Sequence, residues 1–553
     1  MKRTFKRAGA LFTALLLAVA MCIPAFAASV PVTGTPSADN KAGVQISGLN
    51  AGDEVTFYQI VKAKYDETGF SGYEAVEDAS IELFDAEGKA IYPSAAQITE
   101  LSKNLSGLES VGPVTVAEGA TSVTQDLAAG EWMVIIKSAD AQTIYNPMVV
   151  SVYYEDSEDG TLITGGEVAI GDDTHYNLTG QDAFAKKSDV CIDKKITGNT
   201  QNDVQTESGD DIAIGDTISF SISSTIPSYS EEYTKIVYNV LDTMDESLDL
   251  TADSIKVFVG GTEITDGFTV TTEAHGFKIE FAEDYIRGLA NESDTARAVE
   301  VTYDAVLNSN ATVNFDENNN KATIEFTNSP DENADAEKID DETHQYTFEI
   351  DGNINGKDKE INRKGHELIK VNEKGEPEVV EWIDEGTEET EIEVGLAGAE
   401  FSLTYIKNNK GEDVTDGKVY TATTDTNGYF NGFTGLDAGT YELVETKAPE
   451  GYTLNAQKHT VVISATYNED GTLATFTIEI DGKATSTYSA TYEDGKVTEI
   501  TTVGEPQTTF IKNVKLNNLP STGGAGTYVL TIIGVAIFAF AMRMTFKNRK
   551  TEG

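Results

Sequence analysis

Thr217-Ile218-Ser219-Phe220-Ser221-Ile222 alternates hydroxyl-bearing with large apolar side chains, so Ile218, Phe220 and Ile222 share one face. That period of two marks a half-buried strand, and β-branched and aromatic residues suit its pleated surface. Further strand signals stand at Trp132-Met133-Val134-Ile135-Ile136 and Thr475-Phe476-Thr477-Ile478-Glu479-Ile480. Turn dipeptides such as Asp159-Gly160, Asn427-Gly428 and Asp470-Gly471 punctuate such runs. Helical periodicity over ten residues is scarce between the termini. Short strands at this spacing predict an all-β chain of tandem, immunoglobulin-like β-sandwich domains.

With 553 residues the chain has room for three or four such cores. The pattern divides it into an N-terminal β-domain over 28–185, a second sandwich over 186–350 and a third over 351–516. The acidic stretch from Asp331 to Glu342 reads as a loop or a linker, because its charge run favours exposure. Acidic residues number 92 against 40 basic ones, a net charge of −52. That balance excludes an electrostatic nucleic-acid binder and disfavours an anionic membrane surface. A hydrophobic share of 39%, with 23 Tyr and 23 Phe, is too large for a solvated, disordered tail. The two cysteines, Cys22 and Cys191, cannot build a disulfide framework.

The ends carry addresses. Lys2, Arg3, Lys6 and Arg7 precede an apolar run from Ala10 to Ile23, closed by Ala25-Phe26-Ala27. This predicts a secretory signal peptide over 1–27, the run being short for a membrane span. Near the other end Tyr528 to Met542 is apolar, and Arg543, Lys547, Arg549 and Lys550 follow it. The basic tail orients this transmembrane sorting helix with its cations in the cytoplasm. Leu519-Pro520-Ser521-Thr522-Gly523 stands immediately upstream. Pentapeptide, apolar helix and basic tail over 517–553 resemble the LPxTG-type cell-wall sorting signal that sortases read in Gram-positive bacteria. The resemblance implies cleavage between Thr522 and Gly523, with Thr522 as acyl donor. Removing both ends takes away eight cations and one anion, leaving a net charge of −59 on the exported part.

Signatures of catalysis on external substrates are absent: no G-x-S-x-G elbow, no phosphate loop and no H-E-x-x-H helix. His175, His275, His344, His366 and His459 are scattered, without metal-ligand spacing. Asp316-Glu317-Asn318-Asn319-Asn320 opens like a calcium loop, but Lys321 stands at the glycine position and Thr327 at the glutamate position. That stretch reads as a solvated turn. No enzyme, metal or cofactor is expected.

More telling is Val190-Cys191-Ile192-Asp193-Lys194-Lys195-Ile196, where alternation puts Val190, Ile192, Lys194 and Ile196 on one face. If that face is core, Lys194 is buried and driven towards a neutral, nucleophilic amine. In the other register its head snorkels to water.

Ile192-Asp193-Lys194-Lys195, Gly215-Asp216-Thr217-Ile218, Leu241-Asp242-Thr243-Met244, Val301-Thr302-Tyr303-Asp304-Ala305 and Thr327-Asn328-Ser329-Pro330 together resemble a fimbrial isopeptide-forming domain. Leu368-Ile369-Lys370-Val371, the segment from Tyr441 to Tyr452 containing Glu445-Thr446-Lys447-Ala448-Pro449-Glu450-Gly451-Tyr452, and Ile511-Lys512-Asn513 resemble a Cna B-type domain. The whole is similar to the major, or backbone, pilins of sortase-assembled pili. The resemblance implies that Lys194 attacks the carboxamide of Asn328 and expels ammonia, with Asp242 as the acid and Glu300 as its alternative. It likewise implies a Lys370–Asn513 bond assisted by Glu445. The acid has to carry a proton, which apolar surroundings favour, to polarise the amide and shuttle protons. Loops of this size would restrict the unfolded chain by about 4–5 kcal/mol each. Polymerisation would need an acceptor amine, and Lys186, with Lys187 as alternative, stands where the family places it, although the tyrosine-proline-lysine form is missing. The implied partners are a pilus-specific sortase, other copies of the chain, minor pilins, peptidoglycan and a host surface ligand. The alternative reading is a wall-anchored adhesin that binds a host ligand without polymerising.

Overall fold

Strands form where the sequence alternates. The computed structural model describes residues 28–67, 69–79, 101–102, 105–140, 142–160, 162–163, 176–230, 233–292, 296–330, 335–350, 367–375, 378–382, 390–493, 496–504, 507–516, 535, 537–538 and 542. The expected signal peptide over 1–27, the pentapeptide from Leu519 to Gly523 and the expected domain junction after residue 350 lie outside the described residues. Among the described residues, no helix is long and apolar enough to cross a membrane. The chain groups into two units, one of Met1–Asp210, Gly215–Ala311 and Asn318–Gln345, the other of Asp211–Ile214, Thr312–Glu317 and Tyr346–Gly553. The first expected domain and most of the second therefore fall in one unit, while 211–214, 312–317 and 346–350 group with the other.

The first unit begins with a seven-stranded sheet. Its path runs Ala28–Val32, Tyr176–Gly180, Met148–Asp156, Gly130–Lys137, Glu54–Asp66 and Gly69–Ala75, with Ser110–Thr115 also pairing on Glu54–Asp66. A three-stranded sheet of Ala183–Phe184, Lys41–Ser47 and Ser122–Ala128 supplies the other side of the core. Val44 and Ile46 from the small sheet and Phe57, Trp132, Val134 and Val152 from the large one form a single buried cluster. The strand Lys187–Asp189 pairs with Thr143–Tyr145, tying the start of the second sandwich to the first.

The second sandwich has a sheet ordered Ile192–Asn199, Thr217–Ile226, Arg297–Leu307, Leu248–Val259 and Thr262–Ile264. Its other sheet runs Glu337–Tyr346, Asn318–Phe326, Tyr238–Met244, Gly276–Phe281 and Phe268–Glu273. Two sequence expectations fail here. The acidic stretch is not a loop throughout, because Glu337–Tyr346 pairs antiparallel with Asn318–Phe326. Charge does not bar a strand whose charged side chains find partners: Asp340 meets Lys321 at 2.6 Å, Lys338 meets Glu325 at 3.3 Å, and Asp341 accepts from the Lys194 backbone N–H at 2.7 Å. Nor is Asp316 to Asn320 a solvated turn, since Asn318 and Asn320 begin a strand and are buried.

In the second unit eight strands form one sheet in the order Phe430–Asn431, Val419–Thr424, Glu400–Asn408, Gly439–Lys447, Lys458–Tyr467, Leu473–Ile480, Lys483–Glu493 and Lys496–Thr502. Leu368–Val371 pairs in parallel with Thr509–Lys512, setting an early strand beside the last one. Phe401, Leu403, Tyr441, Leu443, Phe476 and Tyr488 lie in its core.

One buried acid outside the expected clusters makes a prediction. Glu131, 3% exposed, faces Val61 across the sheet, next to a cluster containing Ile60, Tyr73 and Met133. Burial pushes its carboxyl up to about 8. The folded state therefore favours the protonated form: this stabilisation is fully present below the unfolded carboxyl range and is lost as pH rises through about 8. The loss is on the order of 4–5 kcal/mol. With Trp382→Phe, Trp132 is the only tryptophan left of two. Its fluorescence in denaturant should show a midpoint that falls from pH 5 to pH 9, and Glu131→Gln should flatten that fall.

Candidate functional site

Each of the last two domains buries a lysine, an acid and an asparagine together. In the third domain the parallel pairing sets Lys370 opposite Ile511, and Asn513 follows the last strand directly, its backbone N–H donating to Val371 O at 3.0 Å. Lys370, Glu445 and Asn513 are all fully buried. The lysine Nζ donates to Asn513 Oδ1 at 2.6 Å and lies 3.0 Å from Glu445 Oε1. The amide Nδ2 of Asn513 donates to both Glu445 oxygens, at 2.9 and 3.2 Å. Oxygen and nitrogen of a carboxamide are told apart only by their hydrogen bonds, so the flipped amide fits the same heavy-atom positions.

The motif after Glu445 explains the geometry. Chain reversal at Pro449, where Tyr452 N–H donates back to Pro449 O, carries Asn455 round so that its N–H donates to Glu445 Oε2 at 2.6 Å. Thr453 N–H then donates to Val514 O, fastening this turn to the segment that bears Asn513. Lys370 Nζ also stands 5.2 Å from the centre of the Phe401 ring. Burial pushes its amine below the ordinary lysine range, an effect that the Glu445 charge opposes.

In the second domain the register pairs Lys194 with Ile222 and Phe220 with Tyr303, so Lys194 and Tyr303 flank one central strand. Asp242 and Asn320 come from the facing sheet, on adjacent strands. Val190, Lys194 and Ile196 are buried while Asp193 is exposed, which is the register with the lysine inward. Lys194 Nζ donates to Asp242 Oδ2 at 2.5 Å and to Tyr303 Oη. Tyr303 Oη–H donates to the same Asp242 oxygen at 2.6 Å and accepts from Asn320 Nδ2 at 3.0 Å. Asp242 Oδ1 and Asn320 Oδ1 are buried without a hydrogen-bond partner among the described residues. The Phe220 and Tyr303 rings each lie 5.1 Å from Nζ. Burial lowers the Lys194 amine and raises the Asp242 carboxyl, each against the pull of the other's charge. Both shifts favour a neutral amine facing a neutral acid.

The asparagine beside Lys194 is Asn320, not Asn328. Asn328 lies beyond the end of the strand Asn318–Phe326 and is only half-buried. Eight residues of extended chain separate the two, roughly 26 Å, which no side chain spans. Glu300 is exposed, on the face of its strand opposite Val301 and Tyr303, and does not join the cluster. Sequence reasoning missed Asn320 and Tyr303, although both were findable: Asn320 shares the buried phase of Ala322, Ile324 and Phe326, and Tyr303 that of Val301 and Ala305.

Lys186 and Lys187 are both exposed. The Lys187 amine donates to Asn50 Oδ1 at 2.7 Å and lies 5.9 Å from the Tyr145 ring centre, while the Lys186 carbonyl accepts from Asn146 N–H. Among the described residues, no group of three or more His, Cys, Asp or Glu is arranged to hold a metal.

Two β-sandwiches of this chain each bury a lysine, an acid and an asparagine together. Residues 39–187 match the T6 antigen Ig-like domain, residues 387–479 the prealbumin-like fold domain of the SpaA type and residues 511–553 the LPXTG cell wall anchor motif. The trypsin-resistant surface T6 protein of Streptococcus pyogenes serotype M6 is 26% identical over 93% of this chain and 96% of its own length. The solved T6 backbone pilin of the same serotype shares the fold, with a TM-score of 0.56 and 20% identity over 87% of this chain and 100% of that one. The major pilin BcpA of Bacillus cereus is 18% identical over 86% of this chain and 100% of its own, with a TM-score of 0.38. The family matches, the T6 relative and the anchor motif together support a Gram-positive backbone pilin with a cell-wall anchor. Its family and fold are structural rather than catalytic.

Proposed function

We propose that this pilus shaft subunit is fastened internally by two isopeptide bonds, Lys194–Asn320 and Lys370–Asn513, and joined externally through Thr522 to Lys186 of the next copy. The observation that carries the reading is the Lys370–Glu445–Asn513 cluster, in which amine, acid and amide are all within hydrogen-bond distance and out of water. The three-domain division at 185/186 and 350/351 belongs to the same reading.

In each cluster the neutral amine attacks the asparagine Cγ. The acid supplies a proton to the developing oxyanion, and the transfer of one proton from the lysine nitrogen to the amide nitrogen releases ammonia. No cofactor takes part. Burial lowers the Lys194 and Lys370 amines, which favours a neutral nucleophile in both clusters, and it raises the Asp242 carboxyl. Each bond joins an early strand of its domain to a late one, so tension along a fibre runs through covalent bonds instead of peeling the sheet. That role suits a chain whose exported part keeps only Cys191.

The anchor motif and the pilin likeness imply sortase processing, polymerisation and attachment to the wall. A pilus-specific sortase, peptidoglycan and minor pilins are the partners that this chemistry calls for, all meeting the chain through Thr522 or its acceptor lysine. Intact mass tests the internal bonds. The whole chain should weigh about 34 Da less than its sequence, one ammonia of about 17 Da for each bond. Asn320→Ala should recover about 17 Da and Asn328→Ala none, while a cross-linked peptide containing Asn328 would sink the Asn320 assignment.

A further inference from the structure

We propose that the Tyr303 hydroxyl is a catalytic group of the Lys194–Asn320 reaction, carrying the proton from the attacking amine to the departing one. The inference rests on the isopeptide reading above. Its ground is a difference between the two clusters of this one chain. In the third domain the carboxylate touches the amide nitrogen directly, Glu445 accepting from Asn513 Nδ2 through both oxygens. In the second domain the acid is aspartate, one methylene shorter; its Oδ2 meets Lys194 and Tyr303, while its Oδ1 has no partner among the described residues. The group that meets Asn320 Nδ2 is Tyr303 Oη.

That hydroxyl is placed against every nitrogen that must exchange a proton. It accepts from Lys194 Nζ and Asn320 Nδ2 and donates to Asp242 Oδ2, which uses both lone pairs and its one hydrogen. As the Nζ lone pair forms a bond to Cγ of Asn320, Nζ must lose a proton and Nδ2 must gain one. Tyr303 gives its own proton to Nδ2 and takes the Nζ proton in return. The Cγ–Nδ2 bond breaks, ammonia leaves, and Tyr303 and Asp242 end as they began. Asp242 holds the oxyanion meanwhile. Burial and the neighbouring acid keep the phenol protonated, raised well above its ordinary range, so it serves as a relay and not as a standing base. The ring is stacked on Phe220 and edge-on to Phe277, which fixes the hydroxyl in place.

Tyr303→Phe removes the oxygen and keeps that packing. The whole chain is expressed in wild-type form, as Tyr303→Phe and as Asp242→Glu/Tyr303→Phe. Cross-linked peptides are then quantified at intervals after induction, with circular dichroism as the check on fold. General acid–base groups contribute about 10²–10⁴-fold, so Tyr303→Phe should form the Lys194 link at least about 100-fold more slowly and be largely unlinked at harvest. Its Lys370–Asn513 link should be complete. The double variant, whose longer acid can reach the amide as Glu445 does, should recover much of the rate, which a mere packing role for Tyr303 would not produce. Linking of Tyr303→Phe at the wild-type rate overturns the proposal, and so does a double variant as slow as the single one. A wild-type chain without any Lys194 link would instead overturn the bond itself.

Discussion

A Glu445→Gln chain is expected to emerge about 16 Da heavier than the wild type, the ammonia it keeps (about 17 Da) less about 1 Da for the substitution, with its third domain destabilised by about 4–5 kcal/mol. The amide keeps the shape of the glutamate and most of its hydrogen bonds, but it cannot carry the acid's proton, so Lys370 and Asn513 stay unlinked. Those residues are 143 apart in sequence. Cross-linking a loop of that order restricts the unfolded chain by about 4–5 kcal/mol, a large part of the 5–15 kcal/mol that typically holds a domain together. Glu445→Ala should cost more. It strips the carboxylate that lies 3.0 Å from Lys370 Nζ and takes an acceptor from the Asn455 N–H and the Asn513 amide. It also removes the charge that opposes desolvation of the amine, so the Lys370 pKa falls further. An amine depressed in the folded state is a cost below its unfolded pKa, and the cost fades as pH rises towards that value. Glu445→Ala should therefore regain part of its deficit in alkaline buffer, and Glu445→Gln less. Denaturant midpoints, intact mass and protease susceptibility measure all three outcomes. A Glu445→Gln chain of wild-type mass would remove the acid from the mechanism.

The sandwiches were legible because alternation is local: Thr217–Ile226 and Leu473–Ile480 bury the alternate residues that their sequence marks. Glu445 was legible too, because the proline and glycine that turn the chain back onto it lie within a few residues. What stayed hidden depends on register between strands. Asn320 and Asn328 have the same parity, so a period of two cannot choose between them, and only the pairing of Asp242 with Ala322 puts Asn320 beside the acid. Tyr303 reaches Lys194 across an intervening strand, 109 residues away. In the stretch from Asp331 to Glu342 the charge run points to a loop or linker, yet from Glu337 onward it belongs to a strand whose charged side chains are met by partners on neighbouring strands.

For the chain expressed with a pilus-class sortase, the expected result is an SDS-resistant ladder that Lys186→Ala collapses to monomer and Lys187→Ala leaves intact. The effect is all-or-none because a covalent polymer has no weaker fallback: without an acceptor amine, the Thr522 acyl group passes to water or to the wall and growth stops at one subunit. Between two adjacent exposed lysines, Lys187 is the one whose amine would have to break named contacts. Lys187 Nζ donates to Asn50 Oδ1, and Asn50 is itself fixed through its Nδ2 to Thr143 Oγ1 at 3.3 Å. The same amine lies over the Tyr145 ring, whose hydroxyl donates to the buried Asp53 at 2.6 Å. To attack an acyl-enzyme, Lys187 would have to leave both neighbours, and its strand pairing with Tyr145 draws its backbone towards the first domain. Lys186 stands one residue before that strand. A ladder lost in Lys187→Ala but kept in Lys186→Ala would reverse the assignment. A ladder kept in the double variant would move the acceptor to another lysine altogether, leaving the Lys370 and Lys194 bonds untouched.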